Sequence, residues 1–185
     1  MRDRMNLRKS ILLTLLAGVV VLTGTAASPV AAYSGAGGFI RQIGADRLAG
    51  NDGITLRLYL TLGYQYTDRF SAAIGTGYAF YKDPVDLVPV YLDMVYLLGH
   101  GSNAAFLQLK SGFSRSVMRG DEINSDRHRG GLFIQPGVGV RMNDMSITAG
   151  FSFDHASWDL DEFFGRVVRE KVSFRRVQLG VGFHF

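Results

Sequence analysis

The sequence predicts an all-β protein: an eight-stranded antiparallel up-and-down barrel that spans a membrane, preceded by a cleaved signal peptide. Three observations predict this fold class. Long segments alternate apolar and small polar residues, so that each strand has one apolar face. The chain ends on such a strand with aromatic residues at its tip. Residues 1–32 have the composition of an export signal.

The first element in the chain is the export signal. Arg2, Arg4, Arg8 and Lys9 form a basic start, and the apolar segment Ile11–Leu22 follows. Small residues then lead to Ala32, which is a suitable cleavage site. The apolar segment is too short for a membrane-spanning helix, which needs about 20 residues. We therefore expect a signal peptide over 1–32 and a single barrel domain over 33–185.

The clearest strand covers 54–66. Apolar residues occupy every second position from Ile54 to Tyr66, and mostly polar residues or glycine lie between them. Soluble strands usually have about 5–6 residues, whereas a tilted transmembrane strand needs about 9–11. The segment 70–81 repeats the pattern after a turn at 67–69, which predicts a hairpin.

Six further segments complete the expected barrel. A weak glycine-rich strand precedes the hairpin, and five strands follow it; the six are 34–43, 88–98, 107–114, 132–141, 145–153 and 172–185. The expected short connections are 67–69, 99–103 and 143–144, and the other four are 44–53, 82–86, 118–130 and 158–171. This alternation is typical of outer-membrane barrels, which have short periplasmic turns and longer outer loops.

Composition excludes several classes of function. The chain has no cysteine, which rules out disulfides and thiolate metal sites. Its formal charge of +4 falls to +1 once the four basic residues and one acidic residue of 1–32 are removed. The basic balance of the whole chain is therefore no sign of nucleic-acid binding. Its four histidines are scattered, and we expect neither a metal nor a cofactor.

The C-terminal residues 178–185 carry a resemblance to a known family. They resemble the assembly signal of bacterial outer-membrane barrels, with Gln178, Gly180, Phe183 and Phe185 at the matching positions. Residues 33–185 as a whole are similar in patterning to the small outer-membrane β-barrel family of the OmpA/OmpX type. The resemblance implies a Gram-negative outer membrane, contact with its lipid and lipopolysaccharide, and assembly by its barrel-insertion machinery. We expect a monomer; the fold alone gives no activity.

The inward faces of the expected strands carry six charged residues: Arg57, Asp93, Lys110, Arg141, Asp154 and Arg176. An eight-stranded barrel is only wide enough for side chains to fill it. Buried charges must find partners, so a salt-bridge network that plugs the interior is the preferred interpretation. The alternative is a narrow channel. Inward glycines such as Gly75 make room for large inward side chains, among them Tyr59, Tyr91 and Phe133.

A second alternative is an enzyme. His155 and Ser157 share one face at the outer end of a strand, and this spacing resembles that of lipid A 3-O-deacylases. The resemblance implies Ser157 as nucleophile, His155 as base and Glu170 as the residue that orients the histidine. Two features depart from it, because Trp158 replaces the family's asparagine and Glu170 falls in the inward register. The simpler interpretation is an interfacial aromatic girdle.

Basic side chains near the last outer loop are the remaining candidate site. Arg166, Arg169 and Lys171 are placed to contact lipopolysaccharide phosphates. An ordinary solvated loop is the alternative. The preferred function is thus an integral outer-membrane barrel with a filled interior and a structural or surface-interaction role.

Overall fold

The computed structural model describes residues 37–51, 53–81, 85–99, 103–118, 128–161 and 167–185. It gives only the backbone for 85, 118, 128–129, 156–161 and 167–172. The predicted signal peptide lies outside the described residues. The strands are β1 Gly38–Gly50, β2 Gly53–Gln65, β3 Phe70–Phe80, β4 Val85–Leu97, β5 Asn103–Met118, β6 His128–Arg129, β7 Gly131–Met142, β8 Met145–Asp161 and β9 Val167–His184.

Eight of these strands form one closed antiparallel sheet, which confirms the predicted fold. Consecutive barrel strands pair with each other, and β9 pairs with both β8 and β1. The two-residue strand β6 pairs with β8 beyond the end of β7, one residue out of the β7 register. Closure leaves the sheet without a free edge, so its backbone groups are paired all the way round.

The distribution of polarity is the reverse of that in a soluble protein. In β2, Leu56 and Leu58 are exposed on the outside, while Thr55, Arg57 and Tyr59 are buried inside. The same alternation continues through β3, β4, β5, β7, β8 and β9. The expected parity of these strands is therefore correct, and the barrel has an apolar exterior with a polar interior.

Among the described residues no helix is both long enough and apolar enough to cross a membrane.

The first connection differs from the prediction. Residues 44–53 were expected to form a loop, but β1 continues to Gly50 and only Asn51 and Asp52 separate it from β2. The alternation in β1 is irregular because Leu48 is buried inside while Arg47 is exposed outside. Hydrogen bonding to β2 and β9 on its two sides, rather than hydrophobic pattern, defines this strand.

The hairpin of β8 and β9 is also longer than expected. The connection predicted at 158–171 shrinks to 162–166, because β8 continues to Asp161 and β9 begins at Val167. Their pairing is unbroken from Met145↔Phe183 to Asp161↔Val167. We call the end of the barrel with this hairpin the loop end, and the end with the turns at 66–69, 98–102 and 143–144 the short-turn end.

Interior glycines give space to interior aromatic rings. Gly75 lies directly opposite Tyr91 on the neighbouring strand, and a Cβ at this position would overlap the Tyr91 ring. That ring is buried and packs against Phe133 at 5.4 Å between centroids. The glycine therefore leaves room for a large ring inside a barrel that is narrow because it has eight strands.

We predict that Gly75→Ala lowers the free energy of unfolding by about 1–3 kcal/mol, because the buried Tyr91 ring must move. Urea titration of the protein folded into lipid vesicles, followed by tryptophan fluorescence, measures the change. Gly99→Ala is the control, since its Cβ would meet Ala104 at an ordinary 3.7 Å. Equal stability of the two variants would contradict the packing argument.

Candidate functional site

A closed ring of four polar side chains crosses the inside of the barrel. Its members come from β1, β2, β7 and β9, and each is no more than 1% exposed. We call it the interior ring; it consists of Asp46, Arg57, Gln135 and Gln178.

Each member of the interior ring is hydrogen-bonded to the next. Arg57 Nη2 and Nε donate to Asp46 Oδ2 at 2.6 and 2.9 Å. Gln178 donates to Asp46 Oδ1 at 2.7 Å, and Gln135 donates to Gln178 Oε1 at 2.8 Å. Arg57 Nη2 also donates to Gln135 Oε1, which closes the ring. The buried ion pair is thus flanked by two neutral amides, one of which donates to the second carboxylate oxygen while the other accepts from the guanidinium.

A second level lies on the short-turn side of the interior ring. The Lys110 ammonium stands over the Tyr59 ring at 4.0 Å from the centroid and 5.3 Å from that of Tyr91. Asp93 is paired with Lys110 in the strand register, yet both its oxygens accept from Gln108 Nε2, at 2.9 Å each. The ammonium thus makes cation–π contacts, while the carboxylate is hydrogen-bonded to an amide.

A third level lies at the loop end. Asp154 accepts from the hydroxyls of Ser114, Ser152 and Tyr81 at 2.9, 2.8 and 3.2 Å. The Arg176 guanidinium stacks over the Tyr81 ring at 4.1 Å and donates to the Thr55 hydroxyl. Tyr81 therefore connects a buried carboxylate with a buried guanidinium.

The six charged residues expected inside the barrel are all buried there. The structure distributes them along the interior and does not gather them into one cluster. Arg141, the last of them, lies at the short-turn end, where its Nε donates to the Asn143 carbonyl at 3.2 Å.

Three members of the interior ring escaped the sequence analysis. Asp46 was assigned to a loop. Gln135 and Gln178 are neutral, and only charged residues were considered as partners of a buried charge. The one available signal was Arg57 itself, because a buried arginine requires an acidic partner. Asp46 is its direct neighbour in the β1–β2 register.

The candidate esterase residues lie on β8 and β9. His155 is exposed on the outer face and pairs with Ser173, while Ser157 pairs with Lys171. Glu170 pairs with Trp158, at an even position of β9, the parity of the inward Arg176 and Gln178. The side chains of Ser157 and Glu170 lie outside the described part of the chain, so the esterase stays a prediction.

The remaining candidates lie at opposite ends of β9. Arg169 and Lys171 belong to its loop end, described only as backbone, and Arg166 is outside the described residues.

The residues of the predicted assembly signal lie toward the short-turn end of β9. Phe183 is exposed there, and the Phe185 backbone N–H donates to the Arg41 carbonyl at 3.1 Å. Gln178 and Gly180 are buried inside. The proposed assembly signal therefore forms part of the strand that closes the barrel.

Solved structures share this architecture. The N-terminal β-barrel domain of Pseudomonas aeruginosa OprF is 16% identical, with a TM-score of 0.52, covering 82% of this chain and 100% of that one. Neisserial surface protein A is 16% identical, with a TM-score of 0.53 and coverage of 80% and 97%. The outer membrane protein OprG of P. aeruginosa is 14% identical, with a TM-score of 0.54 and coverage of 82% and 97%.

Neither a family model nor a curated protein matches the sequence. The structural likeness therefore establishes the fold, that of the small eight-stranded outer-membrane barrels.

We predict that Arg57→Met lowers the free energy of unfolding by about 3–5 kcal/mol, because it leaves the Asp46 carboxylate buried without its cation. The double variant Asp46→Leu/Arg57→Met should recover most of that loss. Urea unfolding in vesicles measures both. Arg115→Met, at an exposed position, serves as control and should change stability by less than about 0.5 kcal/mol. A single variant as stable as the parent would disprove the role of the ring.

Proposed function

We propose that the protein is an integral outer-membrane barrel whose interior is closed and whose role is structural or depends on surface contacts. The observation that carries this proposal is the interior ring within an apolar shell. The four residues of the ring are hydrogen-bonded to one another across the interior, and an apolar exterior requires lipid.

The outer surface supports a position in the bilayer. Large apolar side chains are widely exposed on it, such as Phe39 at 76% and Leu179 at 57%. Near the short-turn end a row of rings continues from Phe39 through Tyr64 and Tyr66 to Phe70, with 5.4–6.3 Å between successive centroids. Toward the loop end Tyr78 and Phe80 pack together at 4.8 Å. Two aromatic zones flanking an apolar band are typical of membrane barrels.

The interior ring favours a closed barrel over a narrow channel. Asp46, Arg57, Gln135 and Gln178 reach one another from four strands, and none is exposed by more than 1%. Lys110 and Tyr59 fill the adjacent level. An ion that crossed this zone would have to break the Asp46–Arg57 pair and strip two charges of their partners.

We predict that the protein inserted in planar lipid bilayers shows no discrete conductance steps. A variant with alanine at all four positions of the interior ring should conduct, because the obstruction is removed. The heat-dependent shift in gel mobility that marks folded barrels checks that both proteins are assembled. Steady single-channel currents from the parent protein would overturn the closed-interior proposal in favour of the narrow channel.

Contact with lipopolysaccharide is the surface interaction that we propose. Three of the exposed arginines among the described residues, Arg47, Arg115 and Arg175, lie toward the loop end, whereas Arg69 lies at the short-turn end. Arg169 and Lys171 belong to the part of β9 at the loop end, and Arg166 directly precedes β9 in the sequence. Guanidinium groups bind phosphate through paired hydrogen bonds, and the phosphates of the outer leaflet lie at this level if the short turns face the periplasm.

We predict that alanine at Arg166, Arg169 and Lys171 together weakens lipopolysaccharide association severalfold, and that added salt weakens the parent in the same way. Co-sedimentation of the folded protein with lipopolysaccharide measures it. Arg41→Ala is the matched control, because Arg41 lies on β1 at the short-turn end. Unchanged binding by the triple variant would refute this contact.

A further inference from the structure

A pocket opens at the short-turn end of the barrel, between Lys110 and the short turns. Its volume is about 40 Å³, and it is partly open to solvent. Its polar lining includes Asp93, Gln65 and Gln108, and its apolar lining includes Ile40, Leu97 and Phe106. We call it the vestibule. It is a separate space from the interior ring and from the outer face of β8 and β9.

The polar side of the vestibule holds a buried carboxylate that has no hydrogen-bonded cation among the described residues. Asp93 is only 2% exposed, and its oxygens accept from the Gln108 amide alone among the described side chains. The nearest candidate, Lys110, turns its ammonium to the Tyr59 ring. A buried carboxylate is normally stabilised by a charged partner, since one neutral amide replaces only part of its hydration.

A second acceptor in the vestibule has no donor. Gln65 is 4% exposed, and its Oε1 has no hydrogen-bond partner within the described residues. Leaving a buried carbonyl oxygen unsatisfied costs about 1–3 kcal/mol. Gln65 belongs to the end of β2 next to the turn at 66–69, so this acceptor lies nearer the mouth than Asp93 does.

Beside Asp93, the strands β4 and β5 carry an apolar patch nearer the short turns. Leu97, Phe106 and Ala104 form a buried cluster with Val95 packed against it. These are inward-facing apolar side chains next to the polar groups of Asp93 and Gln108. A bare inorganic cation would gain nothing from such a wall, whereas an organic group would bury its own apolar surface there.

From this arrangement we propose that the vestibule binds a small organic amine. Its ammonium group donates to the Asp93 carboxylate, its carbon chain packs on Leu97 and Phe106, and a further donor, where present, reaches Gln65. Arg69 and Arg141 also line the vestibule, so a carboxylate on the same ligand would meet positive charge. The shared chemistry is an ammonium attached to an apolar body, supplied by a simple alkylamine or by an amino acid with an apolar side chain.

Titration calorimetry of the full protein folded in detergent micelles tests this proposal, with n-butylamine, leucine, butyrate and butanol as probes. We expect n-butylamine to bind and butyrate and butanol not to bind. Asp93→Asn should lower the amine association constant at least tenfold. Asp154→Asn is the matched control, since it makes the same change at the loop end of the interior and should leave binding within twofold of the parent.

The outcomes separate the alternatives. Tighter binding of leucine than of n-butylamine assigns the site to amino acids, and the reverse assigns it to simple amines. Leu97→Ala should weaken n-butylamine severalfold and leave methylamine unchanged, because only the longer chain reaches the apolar wall. Absence of amine binding by the parent, equal binding of butyrate or butanol, or full binding by Asp93→Asn would each overturn the proposal. None of these results depends on whether the interior conducts ions or the surface binds lipopolysaccharide.

Discussion

The hydrogen bonds between β9 and β1 are the interaction on which the rest of this structure depends. They join the last strand to the first, from Gln42↔His184 to Ala49↔Val177, and turn a sheet with two edges into a closed barrel. Hydrocarbon offers no partner to a free N–H or C=O, so a sheet left open there would be unstable. Closure with eight strands also makes the interior narrow. Polar side chains inside it must therefore form their hydrogen bonds with one another.

The narrowness of the barrel explains how the charged residues of its interior are paired. Arg57 and Asp46 form a contact that would contribute little at a water-exposed surface. Inside the barrel the pair is surrounded by Gln135 and Gln178, which complete its hydrogen bonds. Removing one charge would leave the other buried without its partner, so the four residues stabilise the barrel only as a group. The same crowding explains why glycines lie opposite large interior rings, as Gly75 does opposite Tyr91.

The interior ring also divides the interior into two unlike parts. On the loop side, Asp154 accepts from hydroxyls, and Arg176 donates to the Thr55 hydroxyl and stacks on the Tyr81 ring. On the short-turn side, the vestibule combines an apolar wall with the acceptors of Asp93 and Gln65. The charges of the loop half are therefore held by hydroxyls and an aromatic ring, while the other half contains the vestibule. A closed barrel can in this way expose different chemistry to the two sides of a membrane.

The sequence by itself determined which face of most strands meets lipid. Alternation with a period of two is a local property, so the parity of β2 or β8 can be predicted without knowing their neighbours. The number of barrel strands and the burial of Arg57, Lys110 and Asp154 followed from the same pattern. The narrowness of an eight-stranded barrel then indicated that these charges needed partners.

Only the tertiary structure decided which partners they have. β1 has an irregular pattern, and its pairing with β2 and β9 is what makes it a strand and places Asp46 beside Arg57. The interior ring joins residues separated by up to 132 positions, as in the bond from Gln178 to Asp46. Such contacts depend on strand register and on closure around the barrel, which are properties of the whole sheet and are not encoded in any single segment.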